Sequence, residues 1–154
     1  MATLAEKVRD AGLELPEPLQ PGGHYESFSW SGQQLWVAGQ LPRVGEEVQF
    51  AGAVGADVTL SDAQAAAALC ALNTLSVVTQ AVEGVSDQLR LVNVSGFVRC
   101  AADFVDHAKV VDGASEVFLR VLGDRGKHAR TAVGTYALPR GVPVEIATVW
   151  EVAR

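Results

Sequence analysis

Sulfur, basic charge and long apolar runs are all scarce in this sequence, and each scarcity closes off a class of function. Only two cysteines occur, Cys70 and Cys100, thirty positions apart and outside any CxxC arrangement. That leaves no partner pair for a cysteine zinc site and reads as two buried, inert thiols. His24, His107 and His128 stand alone, without HxH or HExxH spacing, so no metal is expected, and no cofactor is implied. Twelve lysines and arginines face eighteen aspartates and glutamates, a net charge of −6. No general attraction to nucleic acid or to an anionic membrane follows from that balance. The local basic run of Arg120, Arg125, Lys127, His128 and Arg130 lacks the interleaved aromatics of a single-strand binder and reads as a solvated helix end. No apolar stretch reaches the ~18 residues of a membrane span, and Met1 to Asp10 lacks the basic-then-apolar order of a signal peptide. A cytoplasmic protein is therefore expected. Phosphate-cradling GxGxxG loops and a GxSxG elbow are also missing.

What is present is apolar: 49% of the 154 residues, enough for a domain of this size to bury roughly 70% of its unfolded surface. One domain spanning 1–154 is expected, with residues 1–20 as a peripheral helix and loop. Thr3 caps a short helix whose Leu4, Val8, Ala11 and Leu15 keep near-helical spacing, with Gly12 at its end. The prolines and glycines of residues 16–23 form a loop. A hairpin follows, Tyr25 to Trp30 turning at Ser31-Gly32 into Leu35 to Ala38. Residues 39–57 are loop-rich, with a candidate short strand at Val48 to Phe50. Ser61-Asp62-Ala63-Gln64 fits a capping box opening an alanine-rich helix to about Val82. Gly84 supplies its stop, and Leu69, Leu72 and Leu75 or Ser76 set its contact edge. Asn73 reads as a hydrogen-bonding partner of a neighbouring loop. Leu89 to Val98 is a strand, with Leu89, Leu91 and Phe97 on one face and Val92, Val94 and Val98 on the other. Val110, Val111, Ala114, Val117, Phe118, Val121 and Leu122 follow a helical period that ends near Gly123. Ala129 to Leu138 and Val144 to Val152 are strands joined by Pro139-Arg140-Gly141.

This order predicts an α+β fold, a mixed sheet of about six strands with two helices on one face. Strands apolar on both faces should not leave the second face bare, which argues for a homo-oligomer built on it. Arg130 lies among small and β-branched neighbours, on one face with Ala132, Gly134 and Tyr136. A guanidinium there needs a partner. It is either a structural ion pair, with Glu145 or Asp112, or a fork for a substrate carboxylate.

Several short motifs then fall in a telling order: Tyr25, Ala38-Gly39-Gln40-Leu41-Pro42, Phe97-Val98 with Asp103-Phe104, His128-Ala129-Arg130, Leu138-Pro139 and Val144-Glu145-Ile146. Over about residues 20 to 153 the chain resembles the RidA/YjgF family, also called the L-PSP endoribonuclease family, in a divergent, longer subgroup. The resemblance implies a chorismate-mutase-like homotrimer whose sheets form a central barrel, with helices outside and sites in clefts between subunits. It implies hydrolysis of reactive enamine or imine acids to 2-keto acids and ammonia. By position, Arg130 would clamp the carboxylate of a small-molecule ligand. Tyr25 would close one wall, Gly39 would line the pocket, and the Ala132 backbone would contact the imine or the attacking water.

Three departures bear on activity. The family's Ser-Gly-Gln is Ala38-Gly39-Gln40, losing a hydroxyl. Its Glu-Ile-Glu is Glu145-Ile146-Ala147, so the second glutamate, which positions water, is missing; Glu145 lies two residues earlier on the same strand face, roughly 6.6 Å away. Asp112 stands where an asparagine is common, and would repel an anionic substrate unless it pairs with Arg130. A non-catalytic module binding small carboxylate or carbonyl metabolites on the same scaffold is the alternative.

Overall fold

Thr3 opens the first helix, α1 (Leu4–Asp10), through a reciprocal cap. Its hydroxyl accepts from the Glu6 amide while the Glu6 carboxylate accepts from the Thr3 amide. The computed structural model describes residues 2–83 and 88–153. Beyond α1, Gly12 takes a φ of +74° and ends the helix, and Leu4 and Val8 are fully buried.

The second helix, α2 (Leu60–Ala81), starts earlier than its sequence suggests. Thr59, not Ser61, is the cap: its hydroxyl accepts from the Asp62 amide at 3.1 Å, which places Ser61 inside the first turn. The stop assigned to Gly84 lies outside the described residues. Leu75 and Ser76 are buried as expected, whereas Leu69 and Leu72 are only half-buried, and small residues fill the rest of the seam: Ala63, Ala66, Ala67, Cys70, Ala71 and Thr74. The cause is the close approach of the third helix, α3 (His107–Leu122). A Cβ on Gly113 would lie 2.2 Å from the Gln64 carbonyl oxygen, so bulk at that seam is excluded. The apolar residues read as the inward stripe of α3 are all buried, and Gly123 closes it at φ +59°.

Among the described residues, seven strands make two sheets. The main one holds β1 (Phe28–Ser31), β2 (Gln34–Gln40), β5 (Leu89–Arg99), β6 (Ala129–Thr135) and β7 (Val144–Val152), ordered β1-β2-β7-β5-β6. Only β5 and β6 are parallel, joined by α3. The expected single sheet of six is corrected to five strands, because the segment after β2 pairs with itself as β3 (Arg43–Val44) and β4 (Glu47–Val48).

The faces of β5 also differ from simple alternation. Leu91 aligns with Trp150 and Asn93 with Val149, so Val92 is an extra residue that shifts the pleat. Leu89, Leu91, Val94 and Val98 therefore share the buried face, and Phe97 turns to the other. Behind that buried face α2 contacts β2 and β7, and α3 contacts β5 and β6. The opposite face bears Trp36 and Val133, 53% and 41% exposed.

Candidate functional site

The end of β2 slips against β7: Val37 aligns with Thr148 but Gln40 with Ile146, three steps for two. This bulge at Ala38-Gly39 makes room for a side chain. A Cβ on Gly39 would come within 2.9 Å of Glu145 Cδ. Glu145 thus lies over Gly39 in a cleft of about 490 Å³ whose walls include Tyr25, Gln40, Arg43 and Arg140. Burial raises the Glu145 pKa above the ordinary carboxyl value, and among the described residues no cation offsets it, since desolvation penalises the charged form. Tyr25 is 53% exposed, and its hydroxyl accepts from the Gly22 amide at 3.3 Å.

From α2, Asn73 Nδ2 donates to the Leu41 and Arg43 carbonyls, both at 3.0 Å. It holds the loop after β2 in place, as its sequence context suggested. Below the cleft, burial first and then the Glu145 charge push the Cys70 thiol well up. Burial also raises Cys100, so neither is a ready thiolate.

Arg130 stands on the outer strand, β6, in register with the buried Val94, and so faces α3. Nη1 donates to Asp112 Oδ1 at 2.8 Å and to Ser115 Oγ at 3.0 Å, and Nη2 donates to the Ala108 carbonyl at 3.1 Å. Of the two ion-pair partners the sequence offered, the structure selects Asp112 and not Glu145. Three of the five guanidinium donors are used, leaving two. The network continues: His128 Nδ1 lies 2.6 Å from the Gly126 carbonyl and Nε2 lies 2.9 Å from Ser115 Oγ. A carbonyl can only accept, so Nδ1 carries the hydrogen and donates to Gly126, which turns Nε2 toward the Ser115 hydroxyl. These groups line a second cleft of about 350 Å³. Lys127 pairs with Asp124 at 2.7 Å, so the local basic run is partly neutralised where it stands. Ala132 follows Arg130 on the same face of β6, half-buried.

Two clusters result. Tyr25, Gly39 and Glu145 meet in the first cleft; Arg130 and Asp112 meet in the second, with Ala132 beside them. Glu145 aligns with Phe97, and Phe97 with Val133, so β5 stands between β7 and β6, a separation of about 10 Å across the sheet. The two side chains also leave opposite faces, so one chain by itself does not bring Glu145 to Arg130. Sequence reasoning missed Ser115, Arg43 and Arg140. A helical offset of three from Asp112 could have signalled Ser115; nothing local marks the arginines. Among the described residues no group of three or more His, Cys, Asp or Glu could hold a metal ion, and no helix is long and apolar enough to cross a membrane.

Residues 5–144 match the sequence profile of a family described as "YjgF/chorismate mutase-like, putative endoribonuclease". Protein TCP17 of Trypanosoma cruzi is 36% identical over 149 residues, 96% of this chain and 93% of that protein. Atu1372, a protein of unknown function from Agrobacterium tumefaciens, is 37% identical and superposes with a TM-score of 0.89 over 97% of this chain and 92% of its own. Escherichia coli TdcF, solved with bound serine, shares the fold at 21% identity, with a TM-score of 0.63 over 91% of this chain and 95% of its own.

Proposed function

The chain belongs to the YjgF/chorismate mutase-like family, and from that premise we propose that it hydrolyses reactive enamine and imine acids to 2-keto acids and ammonia, at sites shared between copies of the chain. The observation that carries this reading is Glu145, a half-buried carboxyl with a raised pKa and no cation partner among the described residues, set beside Tyr25 in the larger cleft. Imine hydrolysis adds water across C=N and then expels ammonia, so both protons of the water must reach the nitrogen, one as the carbinolamine forms and one as it collapses. A carboxyl whose charged form is disfavoured suits both transfers. Glu145 takes a proton from the water as it adds to the imine carbon and gives it to the nitrogen, then takes the carbinolamine hydroxyl proton and gives it to the departing ammonia, the task that the residue at Ala147 cannot perform. Gly39 gives that carboxyl its space, and Tyr25 closes the wall.

Arg130 of a neighbouring copy brings its two remaining donors to the substrate carboxylate, while Asp112 and Ser115 fix its orientation. The Ala132 backbone meets the imine end. The exposed Trp36 and Val133 on the uncovered sheet face support assembly as a homotrimer with that face inward. The net charge of −6 supports a small-molecule ligand over RNA, and two free thiols suit a reducing cytoplasm.

One contact favours a second reading, a binding module without catalysis: Asp112 already sits 2.8 Å from Arg130 and offsets its charge. The two are separated by generating 2-iminopropionate and 2-iminobutyrate with an amino-acid oxidase and following their decay with and without micromolar protein. Faster decay supports the hydrolase. Unchanged decay together with measurable 2-keto-acid binding selects the module, and a monomer in light scattering overturns the shared site.

A further inference from the structure

We propose that Arg43 and Arg140 form a second carboxylate subsite in the Glu145 cleft, one that the Glu46 side chain occupies here and that the distal carboxylate of a dicarboxylic substrate takes over. The inference rests on the reading of that cleft as half of a shared site, and it names the substrate class. Arg43 is the better-hidden member, with a side chain 12% exposed. Its Nη2 donates to the Gln20 carbonyl at 2.5 Å and its Nη1 reaches Glu46 Oε1 only at 3.5 Å. Two of five donors are thus engaged, and one of those contacts is at the limit of a hydrogen bond. A guanidinium so buried and so sparsely partnered is costly for the chain to keep.

Arg140 converges on the same place from the loop between β6 and β7. Its Nη2 donates to the Glu46 carbonyl, and its Nη1 lies 3.9 Å from Glu46 Oε2. It holds a φ of +57°, a left-handed conformation that a residue with a Cβ adopts at a cost, and such conformations cluster where a side chain must be aimed. Both arginines line the cleft that holds Glu145. Their shared partner is held loosely: Glu46 sits on the β3–β4 turn with its side chain 87% exposed, and ion pairs this long and this wet contribute little. Two guanidinium groups therefore face one weakly bound carboxylate. That the converging group is itself a carboxylate sets the chemistry, since the spacing already accommodates one, and a planar fork matches it in preference to a spherical ion. With Arg130 of the neighbouring copy on the first carboxylate, this pair selects acids bearing a second.

Calorimetric titration with 2-oxoglutarate and 2-oxopentanoate, five-carbon keto acids that differ in the terminal carboxylate, tests this. Unaltered protein should prefer 2-oxoglutarate by about tenfold or more. Arg140→Gln should shrink that preference to about twofold. Glu46→Gln, which removes the competing carboxylate without touching either arginine, should tighten 2-oxoglutarate about threefold and leave 2-oxopentanoate unchanged. Equal affinities in the unaltered protein, a preference that survives Arg140→Gln, or binding of neither acid overturns the subsite. Imine hydrolysis without a dicarboxylate preference would sink the subsite and leave the proposed activity standing. A preference lost in Arg140→Gln, in a protein that hydrolyses no imine, would do the reverse.

Discussion

Charged groups are handled in opposite ways at the β6 edge and in the β2–β7 cleft. At the edge, Arg130 is tied to Asp112, Ser115 and the Ala108 carbonyl, and Ser115 is tied onward to His128. Each of these side chains has a partner inside the chain, so Arg130 is oriented before anything binds. In the cleft, Glu145 has no cation among the described residues, and Arg43 and Arg140 share one exposed glutamate at 3.5 and 3.9 Å. Desolvated groups left short of partners hold free energy that a ligand can recover. The edge thus orients a clamp, whereas the cleft keeps its chemistry and its selectivity for whatever enters.

The contrast breaks most readily at Glu145. Glu145→Gln should lower kcat for imine hydrolysis about 100-fold while 2-keto-acid affinity stays within about twofold. A loss of affinity at constant kcat would make the cleft a binding wall. Arg130→Ala should cost about 30-fold in kcat/KM, mostly through KM, as expected for losing one charge-assisted carboxylate contact. Its companion, Asp112→Asn, keeps an acceptor for Nη1 but removes the competing charge, and should tighten 2-keto acids about threefold; weaker binding would mean that the aspartate itself is needed for orientation. Gly39→Ala is milder. Its Cβ meets only the movable end of Glu145, at 2.9 Å from Cδ, so kcat should fall about fivefold with little change in Tm.

The smallest effect is on stability. Burial holds the Glu145 pKa above its ordinary value, so the folded chain retains a proton that the unfolded chain has already released. The unfolded state then binds fewer protons, and stability falls as pH rises from the unfolded-state pKa through the folded one. Melting curves of Glu145→Gln should match the unaltered protein near about pH 4 and run slightly above it near about pH 8. A variant less stable at the higher pH would mean that the carboxylate has a partner in the fold.

Local periodicity carried much of this molecule. The inward stripe of α3 was readable from Val110 to Leu122 because one long amphipathic helix repeats its signal over four turns, and Thr3 with the spacing of Leu4 and Val8 announced α1. The β5 faces were not readable, because the extra residue at Val92 reverses the pleat without any glycine or proline to mark it. Nor was the Thr59 cap, which competed with an equally plausible Ser61 two residues on. At the site, Arg130 stood out as a charge among small strand residues, and Asp112 was one of its two named partners. Their meeting depends on α3 crossing back to lay β6 beside β5. Arg43 and Arg140 gave no warning, since each is an ordinary arginine in a polar loop. Only the folded chain, with Asn73 pinning one loop and the turn at Arg140 aiming the other, points both at Glu46.

The claim that two half-sites from different copies make one centre is tested most directly by mixing. Arg130→Ala and Glu145→Gln chains, each strongly impaired alone at substrate concentrations well below KM, are unfolded together in equal amounts and reassembled, and imine hydrolysis is measured at those concentrations. A shared site predicts recovery to about a quarter of the unaltered rate, because one interface in four then joins an intact Glu145 to an intact Arg130. Assembly without any recovery, each variant still folded and oligomeric, would contradict it.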